Sequence, residues 1–319
     1  MTPRQVALIG AGQMGASHAR VIAESTRAEL AVVVDIDAVA AERLARTYGC
    51  RFSADLADAL QCDAAVVAGS TASRMACVPS LLRAGIPSLV EKPFAPSLAE
   101  LDQLLELATA GDVPVMCGFV ERFNAAFCTA VQNLDGPAVH LLAVRHSPPA
   151  PRIASSVVND LMLHDLDVAQ RLFGRAEAVL AGSAFVQPAG SAWKEIADCT
   201  ITFGLDGVAT LSANRMGQRK VRSLSISTAT QLIEVDLLRQ DVTVFRNVSQ
   251  EMMLSSGGMG YRSSTEVELP FVRHAGEPLA LQFAHFLQLI DGVTDRDEER
   301  QQIRPAHALA ELIEHPSPH

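Results

Sequence analysis

The stretch Val6-Ala7-Leu8-Ile9-Gly10-Ala11-Gly12-Gln13-Met14-Gly15 decides the fold. Its first four residues are apolar without alternation, the pattern of a strand buried on both faces in a parallel sheet. Glycines then stand at 10, 12 and 15, the G-x-G-x-x-G spacing, where the strand reading gives way to a helix expected over 14–24. The spacing has a steric logic. Gly10 permits a tight turn, Gly12 lets a pyrophosphate approach the backbone, and Gly15 lets the helix pack closely on the strand. The helix N-terminus then offers free N–H groups to phosphate oxygens. Asp35 ends the next apolar run, roughly 20 residues beyond the glycines. A carboxylate there accepts hydrogen bonds from ribose hydroxyls and repels a 2′-phosphate, which favours NAD over NADP. The other reading of Asp35 is a helix cap, a role for which Asp37 is better placed.

Outward from this turn the chain alternates. Short apolar runs at 6–9, 30–34, 64–68, 88–90 and 115–118 read as buried strands. Helical stretches at 14–24, 38–48, 74–84 and 98–110 lie between them, with Gly49 and Gly85 placed as C-terminal stops. Ser97-Leu98-Ala99-Glu100 reads as a capping box. The alternation predicts an α/β Rossmann domain, a doubly wound parallel sheet, over residues 1–118. The style then changes. Helices are expected over 124–134 and 157–173, and strands at 141–144, 178–186, 200–203, 208–213, 224–227, 232–235 and 242–245, with a hairpin turn at 204–207. A glycine-rich mobile loop is expected at 255–261, helices at 279–290 and 306–315, and a charged loop at 295–300. Residues 119–319 therefore read as an α+β domain with a large, mostly antiparallel open sheet, serving substrate binding and oligomerisation.

Composition narrows the function classes. A chain of 319 residues with 49% hydrophobic residues has material for two cores. The net charge of −10 argues against a nucleic-acid partner. No apolar run approaches the roughly 18 residues that span a bilayer, and the N-terminus carries no secretory pattern. The six cysteines, at 50, 62, 77, 117, 128 and 199, include no C-x-x-C pair. That spacing predicts reduced thiols in a cytoplasm and no metal site.

Two further segments carry chemistry. Glu91-Lys92-Pro93 follows an apolar strand, and the carboxyl ends of such strands are where open α/β sheets bind ligands; an exposed strand-end lysine is the plainer reading. In Asp160-Leu161-Met162-Leu163-His164-Asp165-Leu166-Asp167, Asp160 and His164 share a helix face at i and i+4. A histidine flanked by carboxylates suits general-base work; a solvated acidic helix face is the alternative.

The ordered set Gly10–Gly15, Asp35, Glu91-Lys92-Pro93 and Asp160-x-x-x-His164 resembles the Gfo/Idh/MocA (glucose–fructose oxidoreductase/inositol dehydrogenase) family along nearly the whole chain. The resemblance implies NAD as cofactor, held by Gly10, Gly12, Gln13, Met14, Gly15, Asp35, Glu91, Lys92 and Pro93, and a cis peptide bond before Pro93. It implies that Lys92 contacts the nicotinamide ribose and the reacting hydroxyl, that Asp160 orients the substrate, and that His164 exchanges the hydroxyl proton.

Gly118-Phe119-Val120-Glu121-Arg122-Phe123-Asn124 and the run from Arg145 to Ile153 resemble a sugar-nucleotide branch similar to UDP-N-acetylglucosamine 3-dehydrogenases, although Ala125 departs from that branch's proline. Arg122, Asn124, Arg145 and Arg152 are the candidate substrate contacts, because arginine forks suit a diphosphate. The alternative is that these arginines pair with Glu121 or other acids. The expected activity is NAD-dependent oxidation of a secondary hydroxyl of a sugar, with a nucleotide sugar first and a cyclitol or free sugar second. A non-catalytic NAD(H)-binding regulator would not need Lys92, Asp160 and His164 together. Glycoside cleavage through transient hydride transfer is a further reading. The open sheet, with Ile201 and Phe203 on one face and Thr202 on the other, predicts a homodimer or homotetramer.

Overall fold

The computed structural model describes residues 2–149, 155–174, 177–205, 207–253 and 259–315. The chain forms two compact units, one of residues 1–120 and 276–311, the other of residues 121–275 and 312–319.

The first unit is built on β1 (Arg4–Ile9), α1 (Gln13–Glu24), β2 (Ala28–Val34), α2 (Ala38–Tyr48), β3 (Arg51–Ser53), β4 (Ala64–Val67), α3 (Thr71–Arg83), β5 (Ser88–Val90), α4 (Leu98–Ala110) and β6 (Val115–Cys117). The six strands pair in parallel in the order β3-β2-β1-β4-β5-β6. This is the doubly wound order, in which ligands bind outside the carboxyl ends of the strands where the order reverses. Val6, Ala7 and Leu8 of β1 and Ala64 to Val67 of β4 are fully buried, as unalternating apolar runs require. Ser97 caps α4, accepting from the Glu100 N–H and donating its hydroxyl to the Glu100 carboxylate at 2.7 Å. β3 escapes a periodicity reading because it is a three-residue edge strand with Arg51 and Phe52 exposed.

The second unit carries α5 (Ala125–Gln132), β7 (His140–His146), a π-helical turn over Val158–Met162, α6 (Leu163–Phe173) and seven further strands. These are β8 (Ala178–Val186), β9 (Ile196–Phe203), β10 (Gly207–Asn214), β11 (Val221–Ser227), β12 (Gln231–Asp236), β13 (Asp241–Met253) and β14 (Met259–Glu268). They form one sheet in the order β14-β13-β12-β11-β7-β10-β9-β8, antiparallel except where β7 lies beside β10. Alternation sorts its two faces. Leu141, Ala143, Ile201, Ala209, Leu211, Ile226 and Ile233 are buried, while Leu142, Thr200, Thr202, Val208 and Thr210 stay partly exposed on the other face. The expected hairpin at 204–207 joins β9 to β10, with Asp206 outside the described residues.

Three expectations are corrected. The single division at 118/119 misses the return of residues 276–311 to the first unit. The cause is α7 (Pro278–Ile290), whose Leu279, Phe283, Phe286 and Leu287 are buried. Ion pairs Arg20–Glu277 at 2.7 Å and Arg4–Asp291 at 2.5 Å fix its two ends to the first unit. The charged segment expected as a loop is α8 (Arg296–Gln301), because Asp295 caps it by accepting from the Asp297 and Glu298 N–H groups. A last helix, α9, covers Arg304–Glu314. The third correction concerns the expected loop at 255–261. β14 already begins at Met259, paired with Met253 of β13, and residues 254–258 lie outside the described residues.

Candidate active site

In the first unit, the glycine turn has the geometry its spacing demands. Gly10 sits at φ +104°, and a Cβ there would collide with the Gly69 backbone. A Cβ at Gly15 would collide with the Gly10 carbonyl oxygen. Around Gly12 the same test meets nothing within 4 Å. Two glycines thus serve packing and the third leaves the approach open. No side chain caps α1 at Gly12, and Gln13 and Met14 are exposed. The first N–H groups of α1 are therefore available to an anion.

Asp35 and Asp37 divide their work. Asp37 caps α2 through the Val39 and Ala40 N–H groups at 3.1 Å. Asp35 accepts from the Ala11 N–H at 2.6 Å and from the Asp37 N–H at 2.9 Å, which ties the end of β2 to the glycine turn. Open space over Gly12, an uncapped helix start and a partly exposed carboxylate together fit a dinucleotide.

Lys92 is partly exposed at the carboxyl end of β5, and the Lys92–Pro93 bond is cis, as expected. The segment is pinned from several sides. The Lys92 N–H donates to Glu91 Oε2 at 3.2 Å, and Glu91 Oε1 meets His18 Nε2 of α1 at 2.8 Å. Both members of that pair are buried. Burial alone would raise the Glu91 carboxyl. The His18 hydrogen bond and charge, with Lys92 and Arg74, outweigh it and hold Glu91 below the ordinary carboxylate range. A Cβ at Gly118 would stand 2.8 Å from Glu91 Oε2, so this glycine is what leaves Glu91 its place. Arg74 of α3 donates to the Pro93 carbonyl and, at 3.2 Å, to the Gly69 carbonyl. The Phe94 N–H donates to His307 Nε2 at 2.9 Å, while His307 Nδ1 meets the Ile303 carbonyl at 2.7 Å. A carbonyl only accepts, so Nδ1 carries the proton and this imidazole is neutral. Glu91 and Pro93 were expected among the cofactor ligands. Both are buried, and their contacts support Lys92 from below.

In the second unit, Asp160 lies in the π turn and His164 in the first turn of α6; both are partly exposed. π turns inside helices recur at functional sites. Arg215 Nη1 donates to Asp160 Oδ2 at 3.2 Å. The carboxylates flanking His164 are committed elsewhere. Arg145 binds Asp165 through Nε at 2.9 Å and Nη2 at 2.7 Å, and Glu121 through Nη1 at 2.8 Å. Arg122 Nε meets Asp167 at 2.9 Å. Arg145 is 2% exposed and Arg122 7%. Burial opposes the Arg145 charge, but Asp165 and Glu121 more than compensate and hold its pKa above the ordinary arginine value. Asn124 is buried as well. It caps α5 through the Ala126 N–H and donates to Glu121 Oε2 and the Leu237 carbonyl, each at 3.1 Å.

The expectation that Arg122, Asn124 and Arg145 contact substrate is therefore corrected. Arg122 is bound to Asp167, Arg145 to Asp165 and Glu121, and Asn124 to Glu121 and backbone groups, since a buried guanidinium is stable only when neutralised by hydrogen-bonded carboxylates. Arg152 lies outside the described residues. Sequence reasoning also missed three groups. His18 lies on the buried face of α1, three residues past Gly15. Arg215 directly follows β10. Arg222 on β11 is partly exposed and reaches Glu121 at 3.4 Å.

Residues 4–119 match a family model described as an oxidoreductase family with an NAD-binding Rossmann fold, the Gfo/Idh/MocA family. Myo-inositol dehydrogenase Hyg17 of Streptomyces leeuwenhoekii is 34% identical over 197 residues, covering 57% of this chain and 60% of that protein. UDP-N-acetylglucosamine 3-dehydrogenase of Acidithiobacillus ferrooxidans is 29% identical over 248 residues, covering 77% of this chain and 78% of the other. The chain spans only about half the length of several inositol 2-dehydrogenases it matches, 53% for that of Leifsonia xyli. The solved structure of the Acidithiobacillus enzyme superposes with a TM-score of 0.86 at 25% identity, over 98% of this chain and 97% of that one.

Proposed function

We propose that the chain is a Gfo/Idh/MocA oxidoreductase, an NAD-dependent dehydrogenase acting on a secondary hydroxyl of a sugar; the family model over residues 4–119 and the likeness to the Acidithiobacillus enzyme along nearly the whole chain support this. When bound, NAD supplies the hydride acceptor. The chain's own residues do the rest. Gly10, Gly12, the start of α1 and Asp35 hold the dinucleotide. Lys92 stabilises the alkoxide that develops at the reacting oxygen, Asp160 orients the substrate, and His164 takes the hydroxyl proton. The observation that carries this reading is the Glu91-Lys92-Pro93 segment. A partly exposed lysine stands at a parallel strand's carboxyl end, its backbone fixed by a buried Glu91–His18 pair.

A nucleotide sugar such as UDP-N-acetylglucosamine is the proposed substrate, supported by the likeness to the Acidithiobacillus enzyme along nearly the whole chain. A cyclitol is the second reading. It is favoured by the 34% identity to Hyg17 and by the enclosure of Arg122 and Arg145, which takes two of the expected arginines away from a diphosphate. NADH formation from UDP-sugars, the matching free sugars and inositols separates them. The proposal expects the highest kcat/KM with a UDP-sugar; an inositol or free sugar used at least as well overturns that substrate class.

The cofactor preference follows from Asp35. Its carboxylate repels a 2′-phosphate, so NAD+ is expected to give the higher kcat/KM, and Asp35→Ser to erode the difference. A wild type that prefers NADP+ contradicts this role for Asp35.

The partly exposed face of the eight-stranded sheet, with Leu142, Val208 and Thr210, suits a second copy of the chain, as a homodimer or a dimer of dimers. A cytoplasmic setting agrees with six cysteines that form no disulfide. No helix among the described residues is long and apolar enough to cross a membrane.

A further inference from the structure

Arg215 is among the most enclosed charges of the second unit, with 2% of its side chain exposed. All three guanidinium nitrogens are engaged. Nε donates to Glu195 Oε2 at 2.7 Å, Nη2 to the Ser155 carbonyl at 2.8 Å, and Nη1 to Asp160 Oδ2 at 3.2 Å. The backbone is held too, its N–H donating to the Glu195 carbonyl at 2.8 Å in continuation of the β9–β10 ladder. Glu195 is braced in turn by the Ser191 hydroxyl at 3.0 Å. Arg215 has no surface left for a ligand, whereas Asp160 keeps 16% of its side chain exposed. The cation therefore acts through Asp160.

The backbone under Asp160 adds a second observation. Residues 158–162 form a π turn, so the helix is locally widened at the residue that presents the carboxylate. Such turns recur at functional sites, and the Arg215 contact fixes where this one aims its carboxylate. The planar fork is suited to this task, since it meets three acceptors in fixed directions where an ammonium offers a single point charge.

We infer that Arg215 is the positioning residue for Asp160, fixing the carboxylate that orients the substrate's hydroxyl, with Glu195 as the brace that fixes Arg215. The inference rests on the dehydrogenase reading above. Misplacing a substrate-orienting group by about 1 Å is enough to cost on the order of 100-fold in rate.

The test is a double-mutant cycle on the full chain. Arg215→Lys is expected to lower kcat/KM for the carbinol substrate about 10–100-fold, with the KM for NAD+ unchanged. In an Asp160→Asn background the same substitution is expected to cost nothing further, because the group it positions is already disabled. Glu195→Gln provides a second cycle for the case in which Arg215→Lys fails to fold. It keeps the Arg215–Asp160 contact, and its smaller loss is likewise expected to vanish in the Asp160→Asn background. Losses that multiply in both cycles mean that Arg215 merely holds the fold, and overturn the inference alone. A wild type that oxidises none of the UDP-sugars, free sugars or inositols overturns the dehydrogenase reading and this inference with it.

Discussion

Replacing Lys92 or His164 by alanine is expected to lower kcat at least about 100-fold in each case, for two different reasons. Hydride leaves a carbinol carbon only as negative charge builds on its oxygen. A cation fixed beside that oxygen is worth about 2.7–4 kcal/mol, or 10²–10³ in kcat. The Lys92 backbone is held by Glu91, and the Pro93–Phe94 peptide by Arg74 and His307, so little reorganisation of this segment is needed when the charge appears. The proton must also leave the hydroxyl, and general-base assistance of the kind assigned to His164 contributes about 10²–10⁴. Both residues are partly exposed and outside the cores, so the variants are expected to fold and to bind NAD as the wild type does. The checks are steady-state kinetics, NAD binding and thermal unfolding on each variant. Turnover within about threefold of wild type in either variant removes that residue from the mechanism.

The largest effect on stability is expected at Arg145. Its guanidinium bridges Asp165 and Glu121 with almost no exposure. Arg145→Met leaves buried carboxylates uncompensated, and breaking a buried pair in this way costs about 3–5 kcal/mol. That is a large share of the roughly 5–15 kcal/mol of a typical domain. Adding Asp165→Asn to Arg145→Met is expected to recover part of the loss, since it removes one stranded charge. Trp193, the chain's one tryptophan, belongs to the same unit, and its fluorescence in denaturant reports this unit's unfolding. A loss below about 1 kcal/mol would place the cluster with ordinary surface ion pairs. Losses that simply add would mean that Arg145 and Asp165 are not coupled.

The glycine turn and the alternating first domain were legible in the sequence because each rests on a local steric rule. A Cβ collides at Gly10 and Gly15, and parallel strands need unbroken apolar runs. The arginines were harder. Arg122 and Arg145 suggested ligands because an arginine fork suits a diphosphate, while the alternative, pairing with Glu121 or other acids, is the arrangement found. Yet period-two alternation already puts Arg145 on the same face as Leu141 and Ala143 of β7, and both of those are fully buried. The acids that neutralise it, Glu121 and Asp165, lie 24 and 20 residues away; only the folded register joins them. The return of residues 276–311 to the first unit and the pairing of polar β14 with β13 are likewise long-range facts. His18 sits between these cases. Its distance from Gly15 was visible, but its partner Glu91 is 73 residues on.

The central claim is hydride transfer from a carbinol carbon to NAD, and isotope transfer tests it most directly. The sugar or cyclitol that gives the highest rate with NAD+ is prepared with deuterium on the carbon that is oxidised. The expected result is NADH carrying that deuterium on the nicotinamide ring, formed at least about 100-fold more slowly by Lys92→Ala. NADH without the label, or NAD binding with no NADH from any member of the panel, would contradict it.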